Sequence, residues 1–201
     1  MKRRSHAYSN AESRAAKARK IECILNDKVN LEAANVLEVG TGSGLIASYL
    51  ARVVGTDGQI TSVDVVDERS TQEGYLFRQV ADTTLPFENE QFDVIVSNQV
   101  IEHVGEYEEQ FNHLREIHRV LKGEGRVYFA MPNRWNIIED HYKVAFLSWL
   151  PERYRSRYLK FRGKGDFYDC APLSKSELLT ICREVGLEFE DCTIRAMKLM
   201  L

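Results

Sequence analysis

Short apolar runs and stretches of helical periodicity alternate along the chain, and the alternation predicts an α/β arrangement. Strands are predicted at residues 36–39, 59–64, 75–80, 92–97, 126–131 and 187–194. The first and fourth of these suit burial on both faces of a parallel sheet, because they are nearly unbroken Val, Leu and Ile. Between the strands, residues 11–27 are rich in Ala, Glu, Lys and Arg, with Ile21, Ile24 and Leu25 as an apolar patch. Residues 106–122 place Phe111, Leu114, Ile117, Val120 and Leu121 on one stripe, with acids at the start and bases at the end. That helix is expected to stop at Gly123 and Gly125 and to turn His113 and His118 to solvent. A further helix at 174–185 opens with Ser174 and Glu177 in capping-box spacing and stops at Gly186. Residues 1–10 are basic and polar and read as loose.

Two connections break the rhythm. Residues 65–74 are too few for an ordinary crossover between parallel strands, so any helix there must be very short or distorted. Residues 132–173 are far longer than an ordinary loop, so they are expected to be an insertion with structure of its own, forming a substrate lid.

Chemistry enters at the turn after the first strand. Gly40, Gly42 and Gly44 occupy alternate positions, so the backbone carries no Cβ atoms there to hold a ligand away. The helix that follows begins with unpaired N–H groups facing the same place. Spacing of the G-x-G-x-G kind differs from the dinucleotide pattern, whose third glycine would fall at Leu45. Glu38, two residues earlier, would repel a pyrophosphate but suits a cationic ligand. Asp64 ends the next strand, where an acid usually grips a ribose diol. Together these features favour a nucleoside with a positive tail.

Glu38-x-Gly40-x-Gly42-x-Gly44, then Asp64, then residues 82–87 (Asp-Thr-Thr-Leu-Pro-Phe) and 92–98 (Phe-Asp-Val-Ile-Val-Ser-Asn) resemble class I S-adenosylmethionine-dependent methyltransferases in order and spacing. The resemblance covers roughly residues 35–132 and implies a Rossmann-like three-layer α/β sandwich with a mostly parallel sheet. It implies S-adenosylmethionine as cofactor, held by Glu38, Gly40, Thr41, Gly42, Ser43, Gly44, Asp64, Val65, Asp82, Thr83 and Asn98. Asp82 would accept the adenine amino group, Thr83 would offer its N–H, and Asn98 would lie near the methionine portion. Val65 is a candidate to pack on the purine, or a plain core valine. By the same resemblance the helix at 11–27 is a lid over the cofactor; its other reading is a packing helix at the sheet edge. A seventh strand, usual in the family, finds no room after residue 194, so it is either absent or beyond the end of this chain.

Glu102 and His103 stand where small-molecule members often carry Glu-His. His103 is the one residue of its segment able to act as a base near neutrality, with capping or packing as the alternative. Pro132-Asn133-Arg134 with Glu139-Asp140-His141-Tyr142 resembles methyltransferases of sugar or lipid-linked glycan biosynthesis. Arg134, Glu139, Asp140 and His141 are therefore candidates to position a hydroxylated or anionic acceptor, or else a polar connector.

Length and composition narrow the setting. A chain of 201 residues with a formal charge of −3 is expected to be one domain, cytoplasmic, and neither disordered nor a generally basic nucleic-acid binder. Four scattered cysteines with no C-x-x-C pair give neither a disulfide framework nor a zinc spacing, so no metal is expected. Charge is local instead: residues 152–165 carry six bases against Glu152 alone, interleaved with aromatics. With the apolar stretch before it, segment 144–164 suits phosphate groups, an anionic membrane surface or RNA, if it is more than a solvated face. The reading is methyl transfer to a small-molecule, sugar or lipid-linked acceptor, through oxygen. Its alternatives are an RNA methyltransferase using the basic lid and a non-catalytic scaffold that binds S-adenosylmethionine.

Overall fold

A computed structural model describes residues 11–199; the loose segment expected at 1–10 lies outside them. The elements are α1 (Ala11–Leu25), β1 (Asn35–Val39), α2 (Leu45–Val54), β2 (Gln59–Asp64), β3 (Leu76–Gln79), β4 (Phe92–Asn98), α3 (Tyr107–Val120), β5 (Leu121–Ala130), α4 (Glu152–Phe161), α5 (Lys175–Val185) and α6 (Thr193–Lys198). The sheet has the order β3-β2-β1-β4-β5, and every pairing in it is parallel. Its direction of progression reverses between β1 and β4, so a crevice opens beyond the carboxyl ends of these two strands.

Two apolar layers cover the sheet. On one face Ala18 and Ile21 of α1 and Ile46, Ala47 and Leu50 of α2 pack on Val36, Ile60, Val94 and Val96. On the other, Leu114 and Ile117 of α3 with Leu178 and Ile181 of α5 pack on Leu37, Val63 and Ile95. The alternation of β1 and β4 side chains between these layers is why both strands read as unbroken apolar runs.

The insertion at 132–173, expected to be a substrate lid and called the lid below, has structure of its own: a 3-10 turn at Leu147–Trp149, the helix α4 and a small core of Val144, Leu147, Leu159, Tyr168 and Cys170. Arg155 belongs to this framework and not to a basic face: it is buried and donates to the carbonyls of Leu150 (2.8 Å) and Ser148 (3.3 Å).

Four local expectations are corrected. No helix forms between β2 and β3; the short connection instead wraps the glycine turn, with Ser70 N (3.0 Å) and Thr71 N (3.3 Å) donating to Ser43 O. Helix α3 ends at Val120, before the glycines, and Gly123 and Gly125 lie inside β5, where a register irregularity beside Phe92 absorbs them. His113 is buried, because it shares the inward face of α3 with Gln110, Leu114 and Ile117. The strand expected at 187–194 is absent: Asp191 Oδ1 accepts from Thr193 N at 2.9 Å and starts α6. Glu188, Glu190 and Asp191 leave that stretch too few apolar residues for a covered strand, and its acids bind outward instead, Glu190 to Lys28 at 2.8 Å and Asp191 to Lys175 at 2.5 Å.

Candidate active site

A cavity of about 780 Å³ opens at the carboxyl rim of the sheet, bordered by β1, β2, β4, the inner side of α1 and the first part of the lid. Its size is in the range of sites that enclose a small molecule. Gly40, Gly42, Asp64, Val65, Asp82, Thr83, Asn98, His103, Asp140 and His141 all line it.

The three glycines of the turn serve two purposes. All have positive φ, which the turn demands of them. A Cβ on Gly40 would stand 2.3 Å from Val100 Cγ2, and one on Gly44 would stand 2.2 Å from Tyr75 Oη, so both are fixed by close packing. A Cβ on Gly42 would meet nothing within 4 Å; its open side faces the cavity. Thr41 and Ser43 are buried, and their side chains, like Gly44, do not line the cavity.

Glu38 lies beneath the floor, not in the lining. Its carboxylate accepts from Ser62 Oγ at 2.6 Å, and Ser62 in turn meets Thr41 Oγ1 at 2.5 Å. Burial pushes the Glu38 carboxyl up to about 8, and the neighbouring Asp64 charge adds to the rise; the Ser62 hydrogen bond and Arg14 oppose it. Glu38, expected to engage a cationic ligand directly or through water, is a buried group behind the lining that braces the turn. Asp64 does face the cavity, with Oδ2 accepting from Gly42 N (2.9 Å) and Oδ1 from Val65 N (2.8 Å). Val66 N approaches Oδ1 as well, at 3.4 Å, and since a carboxylate offers about four acceptor positions, one on Oδ2 stays open for a ribose hydroxyl.

Asp82 is exposed at the rim. Hydrogen bonds from Thr84 hold its carboxyl below the usual carboxylate range, so it is an acceptor at neutral pH. The loop carrying it is pinned from below, since Arg119 donates to Leu85 O and Phe87 O (each 2.8 Å) and Glu116 accepts from Leu85 N (2.9 Å). Thr83 Oγ1 accepts from Asn112 at 2.6 Å.

At the far end Glu102, His103 and His141 converge. His141 Nε2 lies 3.2 Å from Glu102 Oε1, and the two imidazoles meet edge to face at 4.8 Å between centroids. Burial pulls the His141 pKa down, but the Glu102 hydrogen bond with the charges of Glu102, Glu139 and Asp140 outweighs it, leaving the pKa raised. Two lid candidates are elsewhere. Arg134 pairs with Glu177 of α5 at 3.1 Å, and Glu139 is buried, accepting from His141 N (3.0 Å) and Tyr142 N (2.6 Å), so it builds the lid turn.

Several lining residues escaped the sequence reading. Arg14 and Lys17 come from α1, Gln99 follows Asn98 with φ 62°, and His113 reaches in from α3. Burial depresses the His113 pKa to about 4, so it is neutral here, 3.3 Å from Ser97 Oγ. Helical spacing with Gln110 and Ile117 was the available signal for His113; Arg14 and Lys17 had none, because only packing turns one side of α1 to the crevice.

Comparison with known proteins agrees with this geometry. A family model described as "Methyltransferase domain" matches residues 37–129. A ubiquinone biosynthesis O-methyltransferase from Bartonella tribocorum is 31% identical over 168 residues, covering 77% of this chain and 63% of the relative. Residues 37–129 match the methyltransferase domain, and the chain is similar to the class I S-adenosylmethionine-dependent methyltransferases. Among solved methyltransferase structures, one from Aquifex aeolicus has a TM-score of 0.56 at 17% identity, covering 91% of both chains. A putative methyltransferase from Bacillus halodurans has a TM-score of 0.61 at 19% identity, covering 85% of this chain and 70% of that one. Such distant likeness establishes the shared fold. The chain spans less than two thirds of the Bartonella tribocorum relative's length. Likeness to the class implies S-adenosylmethionine as cofactor, and the open side of Gly42 with the remaining acceptor capacity of Asp64 fits such a group. No described helix is long and apolar enough to cross a membrane.

Proposed function

We propose that the chain transfers a methyl group from S-adenosylmethionine to an oxygen of a small-molecule, sugar or lipid-linked acceptor. The observation that carries this reading is one continuous cavity with a nucleoside-type rim at one end and His103 and His141 at the other, where the buried Glu102 lies behind the lining and meets His141. The name of the Bartonella tribocorum relative supports an oxygen acceptor. The cofactor supplies a methyl group already activated by a sulfonium. Asp64 grips the ribose diol, Asp82 and Thr83 meet the adenine edge, Val65 packs on the purine, and Asn98 lies by the methionine portion. Arg14 and Lys17 on α1 face the cavity and give it a locally positive wall, where burial and neighbouring cations lower the Lys17 pKa against the opposing charge of Asp140. That supports α1 as a cofactor lid, pairing with the carboxylate.

At the acceptor end His141, oriented by Glu102, takes the proton of the attacking hydroxyl, with His103 beside it and Asp140 at the rim. Holding donor and acceptor in line in a dry cavity contributes ~7–11 kcal/mol to such reactions by positioning alone.

The lid surface favours a lipid-linked acceptor. Trp135, Ile137, Ile138, Phe146 and Trp149 are all exposed, and the rings of Trp135, Phe146 and Trp149 stack into one patch. Helix α4 follows directly with exposed Arg153, Arg157 and Lys160, a combination suited to peripheral contact with an anionic membrane.

Calorimetric titration with S-adenosylmethionine tests the core of the proposal. Wild-type protein binds, and Asp64→Ala binds more than tenfold more weakly while its circular dichroism is unchanged. Unchanged affinity in that variant rules out the ribose role, and absence of binding to wild type rules out the cofactor.

A further inference from the structure

We propose that His103, His141 and Cys170 form a binding site for a zinc-class divalent ion, which joins the two ends of the lid to the rim of the sheet. It depends on the methyl-transfer reading only for the use made of the ion's open position, not for the ion's binding.

One ligand atom from each of the three residues lies within 4.8 Å of the others, and this is the one such group of metal-ligating side chains among the described residues. Cys170 Sγ is 3.7 Å from His103 Nδ1. Ligand atoms at ~2.0–2.3 Å from a tetrahedral zinc stand roughly 3.3–3.8 Å apart, so the trio needs to contract by about 1 Å. Two imidazoles and a thiolate are the donor set that zinc prefers over magnesium or calcium.

A second observation points independently to a cation. Glu102 is 1% exposed and its Oε2 has no hydrogen-bond partner, although Oε1 sits 3.2 Å from His141. A buried carboxylate oxygen left without a donor is costly; a dication beside it offsets the charge. Carboxylates that orient a ligating histidine are the usual outer partners of such sites.

The backbone is already fixed for the purpose. Ala171 N donates to Glu102 O at 2.7 Å, and Gln110 Nε2 donates to Ala171 O at 2.7 Å, so the segment carrying Cys170 is tied to the turn carrying His103. Glu139 holds the amides of His141 and Tyr142 from the other side. The ligand at such a site is the thiolate and not the thiol. Binding breaks the S–H bond, forms the S–metal bond and releases one proton to solvent.

Three protein ligands leave a fourth position, and His103 and His141 both line the cavity. Without the ion His141 is the base described above; with it, an acceptor oxygen coordinated at that position would lose its proton to solvent more easily while the two imidazoles serve as ligands.

The test uses the full chain in metal-free buffer. Competition against a chromophoric chelator is expected to give one zinc per chain at micromolar affinity or better, with release of one proton. Cobalt(II) in its place is expected to show a tetrahedral spectrum with a thiolate charge-transfer band that Cys170→Ser abolishes and Cys23→Ser leaves intact. His141→Ala is expected to weaken zinc at least tenfold. No stoichiometric zinc, a cobalt spectrum without the thiolate band, or a preference for magnesium overturns the proposal. S-adenosylmethionine titration of the same sample separates the two readings: cofactor binding without zinc removes only this site, and zinc without cofactor removes only the methyl-transfer reading.

Discussion

Burial governs the acid–base behaviour of single residues here. Glu38, raised to about 8 from a usual value of 4.5, keeps its proton in the native state and loses it in the unfolded state as pH rises above 4.5. The native state therefore binds more protons in that window, and its stability falls with increasing pH until about 8 is passed. Glu38→Gln is expected to abolish this dependence and to be more stable than wild type by on the order of 5 kcal/mol at pH 8.5, with little difference near pH 4.5. Urea midpoints across that range measure it, and parallel curves for the two proteins would show that Glu38 is ionised when folded. His141 has the opposite kind of task, since Glu102 keeps it raised and within reach of the acceptor. His141→Gln is expected to slow methyl transfer to an oxygen acceptor about 10²–10⁴-fold with cofactor affinity unchanged, read from single-turnover rates and calorimetry.

At the level of elements, the strand-to-helix turn between β1 and α2 separates folding from binding within five residues. Gly44→Ala adds a Cβ against Tyr75 Oη and Thr71 O and forces a left-handed backbone on alanine. Strain of that kind costs ~1–2 kcal/mol before the clash is counted. The variant is expected to lose more than about 2 kcal/mol of stability in denaturant titration. Gly42→Ala pays only the backbone strain, because its open side has nothing within 4 Å. It is expected to fold and yet bind the cofactor at least tenfold more weakly. If both variants lose stability alike, the division of labour is absent. The β2–β3 connection belongs to the same element-level logic: too short for a helix, it spends its backbone donors on Ser43 O and so becomes the outer wall of the turn.

For the whole molecule, the lid has its own apolar cluster around Leu147 and Leu159. Leu159→Ala, at a fully buried position, is expected to cost about 2–4 kcal/mol. Hydrogen exchange is expected to place that loss in residues 132–173, leaving β1 and β4 protected; uniform loss over the sheet would make lid and sheet one cooperative unit. The strands, the glycine turn, Asp64 and the position of the lid were legible in the sequence, because each is written in local apolar period, in glycine spacing or in the length of a gap. Less legible were the stretches where one residue answers to two neighbours: residues 187–194 looked like a strand by alternation, but their acids found bases on α5 and beyond α1 and no sheet edge. Sequence alone determined the parallel sheet and the rim at its carboxyl ends, since apolar runs buried on both faces suit a parallel sheet covered by helices, and such sheets bind ligands beyond their strands' carboxyl ends. Tertiary structure alone decided that Glu38 sinks beneath the floor, that Arg14 and Lys17 look inward, and that His141 and Cys170 meet His103. Contacts between residues that lie tens of positions apart depend on how layers stack, and no local period encodes that stacking.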